Sequence, residues 1–179
     1  MQRNTTPPKT SFEEEVYEGL TAYPKHLSSK YFYDEIGDEL FQDIMAMPEY
    51  YLTDLEYAIL DKHKDAIGRL FSIDDKAFSL FELGAGDGKK TKILLNHFVE
   101  NGINFDYRPI DISQNALDNL ENNIRKELPK VNINPIQGTY FDTLEAIGNE
   151  ISKRKVILFL GSNIGNLLHP QAIDFLKKL

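Results

Sequence analysis

The sequence contains no cysteine and no tryptophan. Without thiols there is no disulfide framework, no thiolate nucleophile and no cysteine-ligated metal. That suits a reducing compartment, and the cytoplasm is the expected location. The polar start, Met1-Gln2-Arg3-Asn4-Thr5-Thr6-Pro7-Pro8, shows no signal-peptide pattern. Four histidines are scattered without ligand spacing, so no metal site is expected. No apolar run approaches the roughly 20 residues of a membrane span, and no membrane partner is expected. Positive charge is short as well: 20 Lys and Arg stand against 28 Asp and Glu, a net charge of −8. An acidic chain repels phosphate backbones and no long basic run offsets this, so nucleic acid is not an expected partner. Repeats and low-complexity segments are absent too.

What remains is globular in balance, 41% hydrophobic and 27% charged. A length of 179 residues supports one core, or a small core with an appendage. Residues 1–10 read as a disordered arm. Residues 11–72 read as helical. Ser11 with Glu14 forms a capping-box pattern, and Pro24 closes the helix it opens. A second helix is expected over 35–46, with Ile36, Leu40 and Ile44 on one face. Thr53 with Glu56 repeats the capping-box pattern and predicts a third helix over 54–70. This segment is too short for a sizeable core of its own and is expected to pack on the remainder of the chain.

Over 73–179 the rhythm changes to alternating strands and helices. Strands are expected at 78–83, 105–111, 131–137 and 155–161, with Pro135 marking the third as an edge strand. Helices are expected over 88–100, after Ser113, over 142–152 and from Pro170. The run Val156-Ile157-Leu158-Phe159-Leu160 reads as a fully buried central strand. Alternation of this kind implies an α/β fold with a parallel sheet. Ligands in such sheets sit beyond the carboxyl ends of the strands.

The stretch that organises the rest is Phe78-Ser79-Leu80-Phe81-Glu82-Leu83-Gly84-Ala85-Gly86-Asp87-Gly88-Lys89-Lys90-Thr91. An apolar strand ends in an acid, a glycine turn comes next, and a helical pattern begins. The dinucleotide pattern G-x-G-x-x-G fails because position 89 is Lys, which argues against a nicotinamide-dependent oxidoreductase. The phosphate-binding G-x-x-x-x-G-K-[ST] fails as well, with Leu83 at its first glycine and Lys90 at its last position. The remaining acid-x-Gly-x-Gly-x-Gly resembles the first motif of class I S-adenosylmethionine (SAM) methyltransferases. A glycine-rich turn with no ligand is the alternative. Asp111, ending the next strand, is placed to accept from ribose hydroxyls; its alternative role is as a helix N-terminal charge.

Three further stretches join this motif. They are Lys30-Tyr31-Phe32-Tyr33-Asp34 through Gly37-Asp38-Glu39-Leu40-Phe41, then Pro48-Glu49-Tyr50-Tyr51-Leu52-Thr53, then Leu160-Gly161-Ser162-Asn163-Ile164-Gly165-Asn166. With Pro109-Ile110-Asp111-Ile112-Ser113 they make the chain, from about residue 12 onward, resemble the histidine-specific SAM-dependent methyltransferase family. The resemblance implies a class I, Rossmann-like parallel sheet with an N-terminal helical segment. It implies SAM as cofactor and methyl transfer to the α-amino group of an amino acid, L-histidine first, as in hercynine and ergothioneine synthesis. Gly84, Gly86 and Lys90 would lie along the methionine end of SAM, Asp111 at the ribose, and Thr139 and Tyr140 at the adenine. Tyr33, Phe41, Tyr50 and Asn166 would line the amino-acid pocket, with Tyr33, Tyr50 and Asn166 holding the reacting amine.

Two departures accompany the resemblance. The family commonly has Gly-Asp-Phe where this sequence has Gly138-Thr139-Tyr140. Members also carry a long further C-terminal part, so the chain reads as a C-terminally truncated member with an incomplete sheet. The strand over 156–160 would then face a missing neighbour. The expectation is association through that edge or a rearrangement that covers it. A non-catalytic SAM-binding or self-associating module is the alternative function.

Overall fold

The computed structural model describes residues 11–32, 34–73, 76–149 and 153–179. The expected arm at 1–10 lies outside these residues, as does Tyr33. Three helices come first: α1 (Ser11–Thr21), α2 (Glu35–Met45) and α3 (Leu52–Phe71), with a 3-10 turn at Ser29–Phe32. After them come β1 (Phe78–Leu83), α4 (Thr91–Glu100), β2 (Phe105–Asp111), α5 (Gln114–Glu127), β3 (Asn132–Ile133), β4 (Ile136–Gln137), α6 (Tyr140–Asn149) and β5 (Arg154–Leu158). A second 3-10 turn at Asn163–Asn166 precedes α7 (His169–Lys178).

The described strands pair in parallel in the order β3-β2-β1-β5, with β4 also on β2. Pro135 has the effect expected of a residue without an N–H. It splits one strand into β3 and β4, yet Asp106 faces Asn132 and Ile110 faces Ile136 in unbroken register.

Every residue of β1 is buried, and its alternating side chains serve two cores. Phe78 and Leu80 join Leu94, Leu95 and Phe98 of α4, Leu120 and Ile124 of α5, and Leu60 of α3. Phe81 and Leu83 join Leu144 and Ile147 of α6 and Phe175 of α7. The first core holds an edge-to-face set in which Phe98 lies 5.3 Å from Phe105 and 5.9 Å from Phe78. Of the N-terminal segment, α3 docks on this core through Leu60, Ile67 and Phe71. The apolar face expected on α2 forms, but Ile36, Leu40 and Ile44 remain 68, 57 and 44% exposed.

Three boundaries move for physical reasons. The third helix starts at Leu52, and its N-cap Tyr51 makes no side-chain cap bond. Thr53 and Glu56 are therefore not a capping box. The first α/β helix begins at Thr91 because Gly88 still turns the chain, at φ +63°. The last strand stops at Leu158, not at 161. Its burial alternates, and it pairs only with β1, so it is the edge of the described sheet and not a central strand. Gly161 (φ +73°) and Ser162 (φ +56°) then turn the chain across the sheet's carboxyl end.

No described helix is long and apolar enough to cross a membrane.

Candidate functional site

A cleft of about 1210 Å³ opens beyond the carboxyl ends of β1, β2 and β5, under α2 and α3. Gly84, Gly86, Lys90, Asp111, Thr139 and Tyr140 line it, and so do Phe41, Tyr50 and Asn166. Nine of the ten residues singled out from sequence thus surround one space, and the tenth, Tyr33, is outside the described residues.

The floor is built by β1 and β2 together. The amides of Gly84 and Ala85 donate to the Ile110 carbonyl at 2.8 and 3.2 Å. The Gly86 amide donates to Asp111 Oδ2 at 3.0 Å, and the Ser113 amide to Oδ1 at 3.1 Å. Burial pushes the Asp111 carboxyl above its usual value, against the pull of these backbone N–H groups. Each oxygen retains accepting capacity on its open side. Ser113 caps α5 by accepting from the Ala116 amide, and its hydroxyl donates to Asp38 of α2 at 2.6 Å. The N-terminal segment is thereby tied to the corner where β2 ends at Asp111.

The three loop glycines do different things. A Cβ at Gly84 would meet Asn163 Nδ2 at 2.6 Å and the Tyr140 hydroxyl at 2.8 Å. One at Gly88 would meet Leu120 Cδ1 at 2.4 Å. Those two are glycine because the protein packs against them. Gly86 has φ +53° and nothing within 4 Å of its would-be Cβ, so its bare backbone borders open cleft. A cavity of this size, a bare loop facing it and a fixed carboxylate at the second strand end fit an adenosyl ligand.

Beneath the loop, Glu82 is 3% exposed. Its two oxygens accept from the hydroxyls of Thr91 and Tyr107. Burial pushes its carboxyl up to about 7, against those two hydrogen bonds. Burial also raises the Tyr107 phenol well above its usual value, and the neighbouring Glu82 adds to this.

The aromatic wall divides in two. Phe41 and Tyr50 meet edge to face at 6.2 Å on the side of the helical segment. Tyr140 packs against Phe159 at 5.3 Å and Phe175 at 5.9 Å, and is held as firmly by the second core as by the cleft. The Thr139 hydroxyl donates to Asp142 Oδ2 at 2.6 Å and accepts from the Asp142 amide. It is engaged at the start of α6, on the cleft rim. Asn166 lies exposed in the turn after β5.

Sequence reasoning missed Glu56. Its Oε2 accepts from Lys90 Nζ at 2.5 Å and its Oε1 from the Gly161 amide at 2.8 Å. The signal was present, but a Thr and a Glu three residues apart read as a helix cap. Asn163 is likewise a residue to which the sequence alone assigns no role. Its amide donates to the Leu160 carbonyl at 2.9 Å and closes the floor over Gly84.

A parallel sheet with this loop and this strand-end acid is the class I SAM-methyltransferase fold. A solved structure described as an S-adenosyl-L-methionine-dependent methyltransferase from Methanococcus maripaludis superposes with a TM-score of 0.51 at 19% identity, over 82% of this chain and 58% of that one. The model of the family described as "Histidine-specific methyltransferase, SAM-dependent" matches residues 12–179, and the chain belongs to that family. It is 34% identical to histidine N-alpha-methyltransferase of Mycobacterium tuberculosis over 94% of its own length and 51% of the relative's. Against ergothioneine biosynthesis protein 1 of Schizosaccharomyces pombe it is 31% identical, over 84% of this chain and 20% of the relative. The chain thus spans about half the length, or less, of these curated relatives.

Proposed function

We propose that this chain forms the cofactor-binding part of a SAM-dependent N-methyltransferase whose acceptor is the α-amino group of an amino acid, L-histidine first. One observation carries the cofactor reading: the Asp111 carboxylate, fixed by the Gly86 and Ser113 amides, faces the same cleft as the bare Gly86 loop. Membership of a histidine-specific family, and relatives named for histidine methylation and ergothioneine synthesis, support the acceptor.

When bound, SAM supplies an electrophilic methyl group on a sulfonium leaving group. Little covalent work is left to the protein, which positions the reactants and shields them. Asp111 holds the ribose hydroxyls. Gly86 gives the ligand chain room to pass. Lys90 meets the carboxylate of the methionine end, and Tyr140 with Thr139 borders the adenine side. Phe41 and Tyr50 hold the acceptor's side chain. Tyr50 and Asn166 orient its amine, which must be neutral to present a lone pair. Tyr33 joins them in this reading.

The open edge of β5 and the bare face of α2 support a second proposal, that the chain associates with another copy of itself.

Titration calorimetry with SAM, S-adenosylhomocysteine and NAD tests the cofactor. Heat is expected with the two adenosyl-sulfur ligands alone. Heat with NAD, or with none of them, would overturn the reading. Methylation of L-histidine followed by mass spectrometry, against a panel of other amino acids, tests the acceptor. A different preferred amine would replace histidine.

A further inference from the structure

Resting on the cofactor reading above, we infer that Glu56 and Lys90 act as one recognition pair for the amino-acid end of the cofactor, Lys90 taking its carboxylate and Glu56 its α-ammonium.

The geometry is that of a charge pair built into the cleft wall. Glu56 comes from the first turns of α3 and reaches two loops at once, the N-cap residue of α4 at Lys90 and the turn after β5 at Gly161. Both side chains border the cleft, and Glu56 and Lys90 stay 28 and 19% exposed. Each therefore has an open side facing the cavity. A Cβ at Gly161 would stand 3.2 Å from Lys90 Nζ, so glycine there leaves the ammonium room beside the backbone.

Chemistry selects the ligand group. A lone lysine would satisfy a carboxylate and leave an adjacent ammonium without a partner. A lone glutamate would repel the carboxylate. Side by side, the two carry no net charge and match a group bearing both signs on one carbon. The cleft's other lysine, Lys30, is paired in the same way with Glu15 of α1 at 2.5 Å, but that pair joins two parts of the N-terminal segment, whereas Lys90 and Glu56 meet at the loops that leave β1 and β5. The remaining acids there include Asp38, Asp87 and Asp111, and they favour the sulfonium's positive charge more than any carboxylate. The Lys90–Glu56 pair is thus where a zwitterion finds both its counter-charges.

The test compares two ligands on the full 179-residue chain. S-adenosylhomocysteine has the amino-acid end, and 5′-methylthioadenosine lacks it. Calorimetry is run on the native chain, Glu56→Gln, Glu56→Ala and Lys90→Met, with thermal melts as a check of folding. Both ligands are expected to bind the native chain. Each variant is expected to weaken S-adenosylhomocysteine about tenfold or more and to leave methylthioadenosine within about twofold, as loss of a charged hydrogen bond predicts. Glu56→Gln keeps an acceptor for Gly161 and carries the test if Glu56→Ala does not fold. Unchanged or tighter S-adenosylhomocysteine binding in the Glu56 variants overturns the inference. Equal weakening of both ligands overturns it too, because it marks a purely structural strut. Failure of the native chain to bind either ligand overturns the cofactor reading itself, and this inference with it.

Discussion

Gly86 and Asp111 are joined by a 3.0 Å hydrogen bond from the amide of one to the carboxylate of the other. The loop after β1 and the end of β2 therefore form a single rigid corner. At this corner the edge of the cleft is set by backbone, and a half-buried acid adds its charge to those of Asp38 and Asp87.

Replacing Asp111 with Asn should leave the fold intact, since an amide oxygen can still accept from Gly86 or Ser113. It should weaken S-adenosylhomocysteine by about 10- to 100-fold, the range for loss of a charge-assisted bond. Calorimetry beside a circular-dichroism melt checks both halves. Native affinity in the variant would remove Asp111 from the site.

The glycine loop allows a paired comparison. Gly88→Ala drives a methyl group into Leu120, which is fully buried and has nowhere to go, at a positive φ. The expected loss is about 2–4 kcal/mol in a urea titration. Gly86→Ala meets no protein atom and should cost only the strain of its backbone, roughly 1–2 kcal/mol. Its larger effect should be on ligand binding. Equal stability losses in the two variants would contradict the open-cleft assignment of Gly86.

Folding moves the Glu82 carboxyl from 4.5 to about 7. Between those values the folded chain keeps a proton that the unfolded chain has released. Stability should fall as pH rises through that interval and level off above it. The full difference is on the order of 3 kcal/mol. Urea midpoints at about pH 5 and about pH 8 should show the loss in the native chain and lack that component in Glu82→Gln. Parallel losses in the two proteins would place the titrating group elsewhere.

Asp106 works in the opposite sense. It is 2% exposed and accepts from Ser79, Arg108 and Lys153. Burial raises its carboxyl, but the bonds from Lys153 and Arg108 outweigh this and hold it below the usual carboxylate range. Its contribution is present above the unfolded-state value and is lost as pH falls through the folded one. Asp106→Ala should cost about 1–3 kcal/mol at neutral pH. Lys153→Met, removing a half-exposed partner, should cost under about 1 kcal/mol. The reverse ranking in thermal denaturation would refute this account.

If the β5 edge and the α2 stripe pair with a second copy, the chain should sediment above its 20.5 kDa monomer mass in a concentration-dependent way. Leu40→Lys with Ile44→Lys should reduce that association. A monodisperse monomer at high concentration would exclude it.

Much of the fold was legible in the chain because its signals are local. The short apolar run from Phe78, the glycines after it and the acid at Asp111 specify a strand, a turn and a second strand end without help from distant residues. Pro135 likewise announced a break, and the break occurred. Glu56 shows the limit. Its spacing from Thr53 fits a local rule, while its actual partners lie 34 and 105 residues away. The apolar run at 156–160 marks a strand but neither its length nor its place in the sheet; the edge position follows the expectation of a missing neighbour, and the strand stops at Leu158, ahead of the turn at Gly161 and Ser162.

Arg154, at the first position of β5, donates to the carbonyls of Leu70 and Phe71 at the far end of α3. Glu56 binds Gly161 near the opposite end of both elements. Fourteen helical residues span about 21 Å, and seven extended ones about 23 Å. Helix and strand thus run antiparallel as rails of nearly equal length, pinned at each end. The Arg154 pin, about 20 Å from Glu56, therefore adds to the packing of Leu60, Ile67 and Phe71 in fixing where along the sheet α3 presents Glu56 to the cleft.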